Sequence, residues 1–274
     1  MNAISGTLPR LDRTGRVTQL RVLRSEWTKL ISVRSTRWSL VVAVILTIGL
    51  PMLFAGVTSA HWGSMSPNDR ADRHPLDIAL AGVNVSQLAI AVLGVLTITA
   101  EYSTGMIRST MIAVPKRLPV LWAKIIVYSL VGFALTLPSV LIAFVGSQAI
   151  LNRHHLLQIS FSHPGVARSV IGGAVYLVLV GLFAYTIGAI TRNTAGGIAT
   201  FAGIFFVIPP LMNILPTSWN NAISPYLPSE AGRQIFSLTH GTHSLSPAAG
   251  GALFAGYCAA ALALAAILLV TRDT

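Results

Sequence analysis

Six runs of apolar sequence, each long enough to cross a bilayer, recur along the chain and dominate what it can fold into. A helix needs about 20 residues to span the roughly 30 Å hydrocarbon layer. The runs fall near 38–59, 78–100, 121–149, 169–190, 195–215 and 248–270. None alternates apolar with polar residues over about ten positions, as the strands of a membrane barrel do. Helices are therefore expected. Only 10% of the 274 residues are charged and 53% are hydrophobic, whereas a soluble domain carries about 25% charge. The expected fold class is an all-α integral membrane protein, with a basic segment over 1–37 and a single six-span domain over 38–274.

The formal charge of +11 acquires meaning only when it is placed on the chain. With the N-terminus inside, fourteen of the Lys and Arg residues fall in cytoplasmic segments. They are Arg10, Arg13, Arg16, Arg21, Arg24, Lys29, Arg34 and Arg37 before the first span, Arg108, Lys116, Arg117 and Lys124 in the second connection, Arg192 in the fourth, and Arg272. Arg70, Arg73, Arg153, Arg168 and Arg233 fall outside. This asymmetry predicts a multi-pass protein of the cell membrane with both termini cytoplasmic. Topology accounts for the basic balance, and no nucleic-acid partner is expected. Segment 1–37 lacks the 7 to 15 residue apolar core of a cleavable signal, so the first span is expected to stay. The lone cysteine, Cys258, lies in the last run and is expected to pack.

Within LRVLRSEWTKLIS, residues Leu20, Leu23, Trp27, Leu30 and Ile31 share one narrow arc at 100° per residue, opposite Arg21, Ser25, Thr28 and Lys29. That layout predicts an amphipathic helix lying in the membrane interface, in contact with lipid, before the first span. The long connection PTSWNNAISPYLPSEAGRQIFSLTHGTHSLSP, 216–247, is too apolar for a plain turn. Its PSEAGRQIFSL part predicts a short helix with Ser229 as N-cap, and the connection is either re-entrant or an ordinary external loop. Pro51, Pro138 and Pro209-Pro210 are expected to kink their helices. Ala248, Ala252, Gly256 and Ala260 form a small-residue face suited to close helix packing, within the subunit or across a dimer.

Motifs for chemistry are missing. There is no G-x-x-x-x-G-K-[ST] phosphate loop, no H-E-x-x-H, no C-x-x-C and no G-x-S-x-G. The chain is not expected to be an enzyme or to hold a metal, because His154-His155 and His240-x-x-His243 lack a third ligand at useful spacing. No ionisable residue lies near the middle of a run, which argues against an ion-coupled carrier. The runs hold neutral polar residues instead, among them Asn84, Ser86, Gln87, Tyr128, Tyr176, Tyr185 and Asn213. Asn84, Gln87, Tyr128, Tyr185 and Asn213 either line a translocation path or bond neighbouring helices.

Between the second and third runs, EYSTGMIRSTMIAVPKR forms a basic, Ser/Thr-rich cytoplasmic segment. A break at Glu101-Tyr102 is expected, with Ser103 and Thr104 capping a short helix. Met106, Ile107, Met111 and Val114 form its apolar face, Arg108 and Ser109 point away, and Pro115 ends it.

Together, SEWTKLISVRSTRW, EYSTGMIRSTMIAVPKRLPVLWAK, SPYLPSEAGRQI and a last small-residue span ending in RDT resemble the membrane subunit of a type-2 ATP-binding-cassette (ABC) transporter, of the six-span actinobacterial kind. The likeness runs from about Leu20 onward, and the E-Y-S-T-G…R-S-T segment is its most specific part. The resemblance implies a permease that pairs with a second copy or a paralogue and sits on two copies of a separately encoded ATPase. That partner would bind ATP and Mg, so this chain needs no cofactor. It implies export of a small molecule or peptide, hydrophobic or amphipathic, such as an antibiotic or lipid. It further implies that Glu101, Tyr102, Ser103, Thr104, Gly105, Met106, Ile107 and Arg108 belong to the element coupling to the ATPase, and that 225–238 forms an external cap. The alternative is a non-transporting interaction or immunity subunit with the same fold.

Overall fold

The computed structural model describes residues 23–25, 27–28, 34–106, 117–156, 158–238, 241 and 243–271, with the backbone alone for 117–120. All regular structure among these residues is helical. In chain order the helices are α1 (Arg34–His61), α2 (Pro67–Ala71), α3 (Pro75–Ser103), α4 (Arg117–Arg153), α5 (Val166–Thr191), α6 (Thr194–Ala202), α7 (Ile208–Met212), α8 (Thr217–Ile223), α9 (Pro228–Arg233) and α10 (Pro247–Thr271). A π-helical turn, Gly203–Val207, joins α6 to α7, so these pieces form one rod. Six helical rods are long and apolar enough to cross a membrane, and they coincide with the six apolar runs. The protein is a multi-pass, all-helical membrane protein.

Two spans form the centre. In α3 and α5, 67% and 78% of the most apolar window is buried, against 17% to 33% in the other four spans. These two lie parallel, Leu80 and Val83 of α3 beside Gly173 of α5 and Ile98 beside Gly188. Their closest approach is at Gly94, where a Cβ would lie 2.3 Å from the Gly181 carbonyl oxygen. Only a residue without a side chain lets two backbones meet this closely, the usual device for helix packing where no hydrophobic force separates helix from lipid. Around this pair, α1 and α4 run the other way. Thr47 and Pro51 of α1 meet Gly82 of α3, and Gly132 of α4 meets Val178 of α5.

A cluster of rings holds the later spans to the centre. Phe201 and Phe205, one helical turn apart, stack at 4.3 Å, and Phe205, Phe183 and Tyr176 all reach Phe254 of α10 at 5.9 to 6.1 Å between centroids. The π turn lies directly ahead of Pro209-Pro210. Two prolines remove two donors and press on the preceding turn, and a wider turn there relieves the clash. Facing outward are large apolar side chains, among them Val41, Ile45 and Leu53 of α1, Trp122, Leu130 and Val145 of α4, and Ile267 of α10. In water such a belt would aggregate; against lipid tails it is the expected surface.

The small-residue face of α10 also points outward. Ala248, Ala252, Gly256 and Ala260 are all exposed, while Gly250, Phe254, Cys258, Ala265 and Leu269 form the buried side. The face is therefore not used for packing among the described residues of the subunit.

The long connection before α10 turns into the bundle. Ser229, Ala231, Gly232 and Phe236 are buried. A Cβ on Gly232 would lie 2.6 Å from the Tyr176 ring. Tyr176 is ten residues into α5, about 15 Å along its axis at about 1.5 Å per residue. The segment is re-entrant in the sense that it folds back into the bundle, against α5 and α10. Arg168, near the start of α5, holds it there by donating to the Ile235 and Ser237 carbonyls at 3.0 and 2.8 Å. The N-cap of α9 is Leu227, not Ser229, because Pro228 occupies the first helical position and needs no donor partner. Ser229 sits inside the helix, with its buried hydroxyl making no hydrogen bond among the described residues.

Candidate functional site

Charged and polar side chains link α3, α4, α5, α6 and α10 at the end opposite the re-entrant segment. Glu101 and Lys124 form an ion pair there, at 5% and 7% exposure. The sequence places Lys124 among the loop cations, but it lies within α4, about two turns from the helix start. Its burial follows from the apolar residues beside it: Leu121 and Tyr185 pack around Ile98 of α3, and Val127 and Tyr128 pack against Leu93. Taking two charges out of water is costly, and their mutual attraction offsets that cost only when both are present. The pair therefore clamps the end of the second span to the start of the third.

Neighbouring bonds extend the clamp. Thr194 at the start of α6 donates to Thr99 of α3 at 2.8 Å. Arg192, in the left-handed conformation at φ 54°, ends α5. Its guanidinium lies 5.2 Å from the Tyr102 ring centroid, within cation–π range, and donates to the Leu268 carbonyl of α10 at 3.4 Å. One girdle thus ties together the ends of five spans.

The break expected at Glu101-Tyr102 is not observed. Helix α3 continues through both residues to Ser103, because Glu101 and Tyr102 are held by Lys124 and Arg192. Ser103 and Thr104 do not cap a new helix start; their hydroxyls donate back to the Ala100 carbonyl at 3.1 and 2.7 Å. Gly105 then turns the chain at φ 69°, a left-handed position that glycine takes at least cost and that commonly ends a helix. Met106 is helical and exposed. Ile107 and Arg108, with the rest of the expected coupling helix to Val114, lie outside the described residues.

Leu20, Leu30 and Ile31 of the expected interfacial helix also lie outside the described residues. Leu23 packs against the cluster of Leu93, Val127, Tyr128 and Val131, whereas Trp27 is exposed. Thr28 bonds the Arg24 carbonyl at 3.0 Å with helical spacing.

The five residues considered for a path are not brought together. Gln87 is buried, donates to the Asn84 carbonyl at 2.8 Å and accepts from the Tyr176 hydroxyl. Tyr128 is buried and donates to the Ile90 carbonyl at 3.2 Å. Tyr185 is fully buried, its ring 6.2 Å from that of Tyr128. Gln87 and Tyr128 thus bond helices to one another, and Tyr185 packs against Tyr128. Asn213 lies apart, exposed, at the re-entrant end, in a cleft of about 600 Å³ between α7, α8 and α9. Sequence reasoning did not find that cleft, because its walls come from helices too short to show a period.

No group of three or more His, Cys, Asp or Glu side chains among the described residues is placed to hold a metal ion. Compared with known proteins, the chain matches no family model and none of the curated proteins.

Proposed function

We propose that this chain is the permease subunit of a type-2 ABC transporter that exports an amphipathic compound using ATP hydrolysed by a separate partner. The resemblance in EYSTGMIRSTMIAVPKR supplies the family, and one observation carries the mechanism: the buried Glu101–Lys124 pair joins the two spans that flank that segment. A docking element passes force into the bilayer only if its two supports move together. The pair does this for α3 and α4, and Arg192 passes the movement on to α10 through the Leu268 carbonyl.

In this proposal the Glu101 end faces the cytoplasm, as the placement of Lys and Arg favours. Segment 103–114 seats in the ATPase, and the helix around Leu23 and Trp27 lies along the inner leaflet. The exposed small-residue face of α10 meets a second permease subunit. The double variant Glu101→Gln/Lys124→Met and Arg108→Glu are then expected to leave a folded, inserted subunit whose partner hydrolyses ATP without substrate stimulation. The measurement is ATPase activity of the reconstituted complex with and without substrate, beside substrate flux. Coupling unchanged in both variants sinks the proposal and favours the non-transporting interaction subunit.

A further inference from the structure

The cleft at the re-entrant end has a lining unlike the rest of the membrane domain. It measures about 600 Å³, within the size range of small-molecule sites. Its walls carry four amides, Asn213, Asn220, Asn221 and Gln234, with Ser224 and Ser244, and among the described residues its only apolar side chains are prolines. Among the described residues the single carboxylate and single guanidinium of the lining, Glu230 and Arg233, pair with each other at 3.5 Å, and His243 is the remaining titratable side chain. One wall is fixed. Asn220 donates to Asn213 at 3.3 Å and accepts from the Ser224 hydroxyl. The floor is fixed as well, because Arg168 and the glycine contacts seat α9 against α5.

Within this frame some hydrogen-bonding capacity is unused. The Gln234 Oε1 atom is buried and finds no donor among the described residues. The exposed Asn221 amide makes no hydrogen bond among them either. That oxygen is shielded from the cleft, so the exposed amides of Asn213 and Asn221 are the groups a ligand hydroxyl can meet. Amides present a donor and an acceptor side by side, which suits vicinal hydroxyls, each both donor and acceptor. Among the described residues, apolar ligands find only prolines to match, and the two opposite charges of Glu230 and Arg233 already face each other.

We propose that this cleft binds the neutral, polyhydroxylated part of an amphipathic molecule, a glycosyl-type headgroup whose tail remains in the adjacent lipid. As a statement about what is exported it rests on the permease proposal; as a binding site it stands on the cleft alone. Trp219, exposed beside Asn220 on α8, supplies a reporter.

The test uses the full chain in lipid nanodiscs, without any ATPase. Octyl β-glucoside, octyltrimethylammonium and octyl phosphate share a tail and differ in headgroup. Each is titrated below its micelle concentration while tryptophan fluorescence is followed. The expected result is a saturable change with the glucoside alone, weakened at least tenfold by Asn213→Ala and by Asn221→Ala, with the Asn221 variant decisive should the other fail to fold. An equal response to all three headgroups, or a glucoside response that survives Asn221→Ala in a protein melting normally, overturns the site. Loss of glucoside binding leaves the ATPase partnership untouched, so failure here is separable from failure of the permease proposal.

Discussion

The two ends of this bundle are built on opposite principles. At the Glu101 end, charge is buried and paired, and side chains together with the Leu268 carbonyl tie the ends of five spans. At the other end, the chain breaks into short helices around a polar cleft, and one of these helices dips into the core on glycine contacts and a single arginine. The first arrangement resists relative movement of helix ends. The second leaves polar surface open while fixing its floor. A subunit that receives force at one end and handles a ligand at the other needs this division.

The largest way to break the contrast is at the buried pair. Lys124→Met leaves Glu101 in an apolar setting without its cation and is expected to destabilise the protein by about 3–5 kcal/mol. Glu101→Gln combined with Lys124→Met removes both charges and is expected to recover at least half of that loss. Reversible detergent titration of single and double variants measures it. A double variant as unstable as the sum of the singles would mean that the two groups act independently.

A smaller and local effect is expected at the opposite end. Arg168→Ala removes two charge-assisted bonds to the carbonyls after α9. Because Arg168 is exposed, a loss of about 1.5 kcal/mol is expected, the low end for hydrogen bonds to charged groups. The readout is roughly tenfold faster amide exchange over 228–238, with exchange in α3 and α4 unchanged. Faster exchange throughout would show that the re-entrant helix supports the whole bundle and not the cleft alone.

The smallest effect concerns the face between the ends. Gly256 has open space where a Cβ would stand, so Gly256→Leu should change subunit stability by less than about 0.5 kcal/mol. Its effect should appear only in association, as a shift from dimer to monomer by mass photometry in nanodiscs. A large stability loss in the monomer would contradict the outward placement of this face.

The spans were legible in the sequence because lipid demands long apolar helices and tolerates little else. Pairing across spans was not. Glu101 and Lys124 are 23 positions apart, and a lysine one turn inside an apolar run reads as a loop cation until its partner is seen. Likewise Arg192 looked like a topogenic charge, yet it bridges Tyr102 and Leu268. Neutral polar residues left both a path and interhelical bonding open, since the two use the same residue types; Gln87 and Tyr128 bond to neighbouring helices. The re-entrant depth of α9 depended on close approach at Gly172, Gly232 and Gly250, which no periodicity reveals.

The most direct test is purification of a tagged subunit from its native cell in mild detergent, followed by mass spectrometry and an ATPase assay of what accompanies it. A nucleotide-binding partner at one copy per subunit, released when segment 103–114 is replaced by a Gly/Ser linker, is the predicted result. Recovery of the folded subunit without any such partner would contradict the permease proposal.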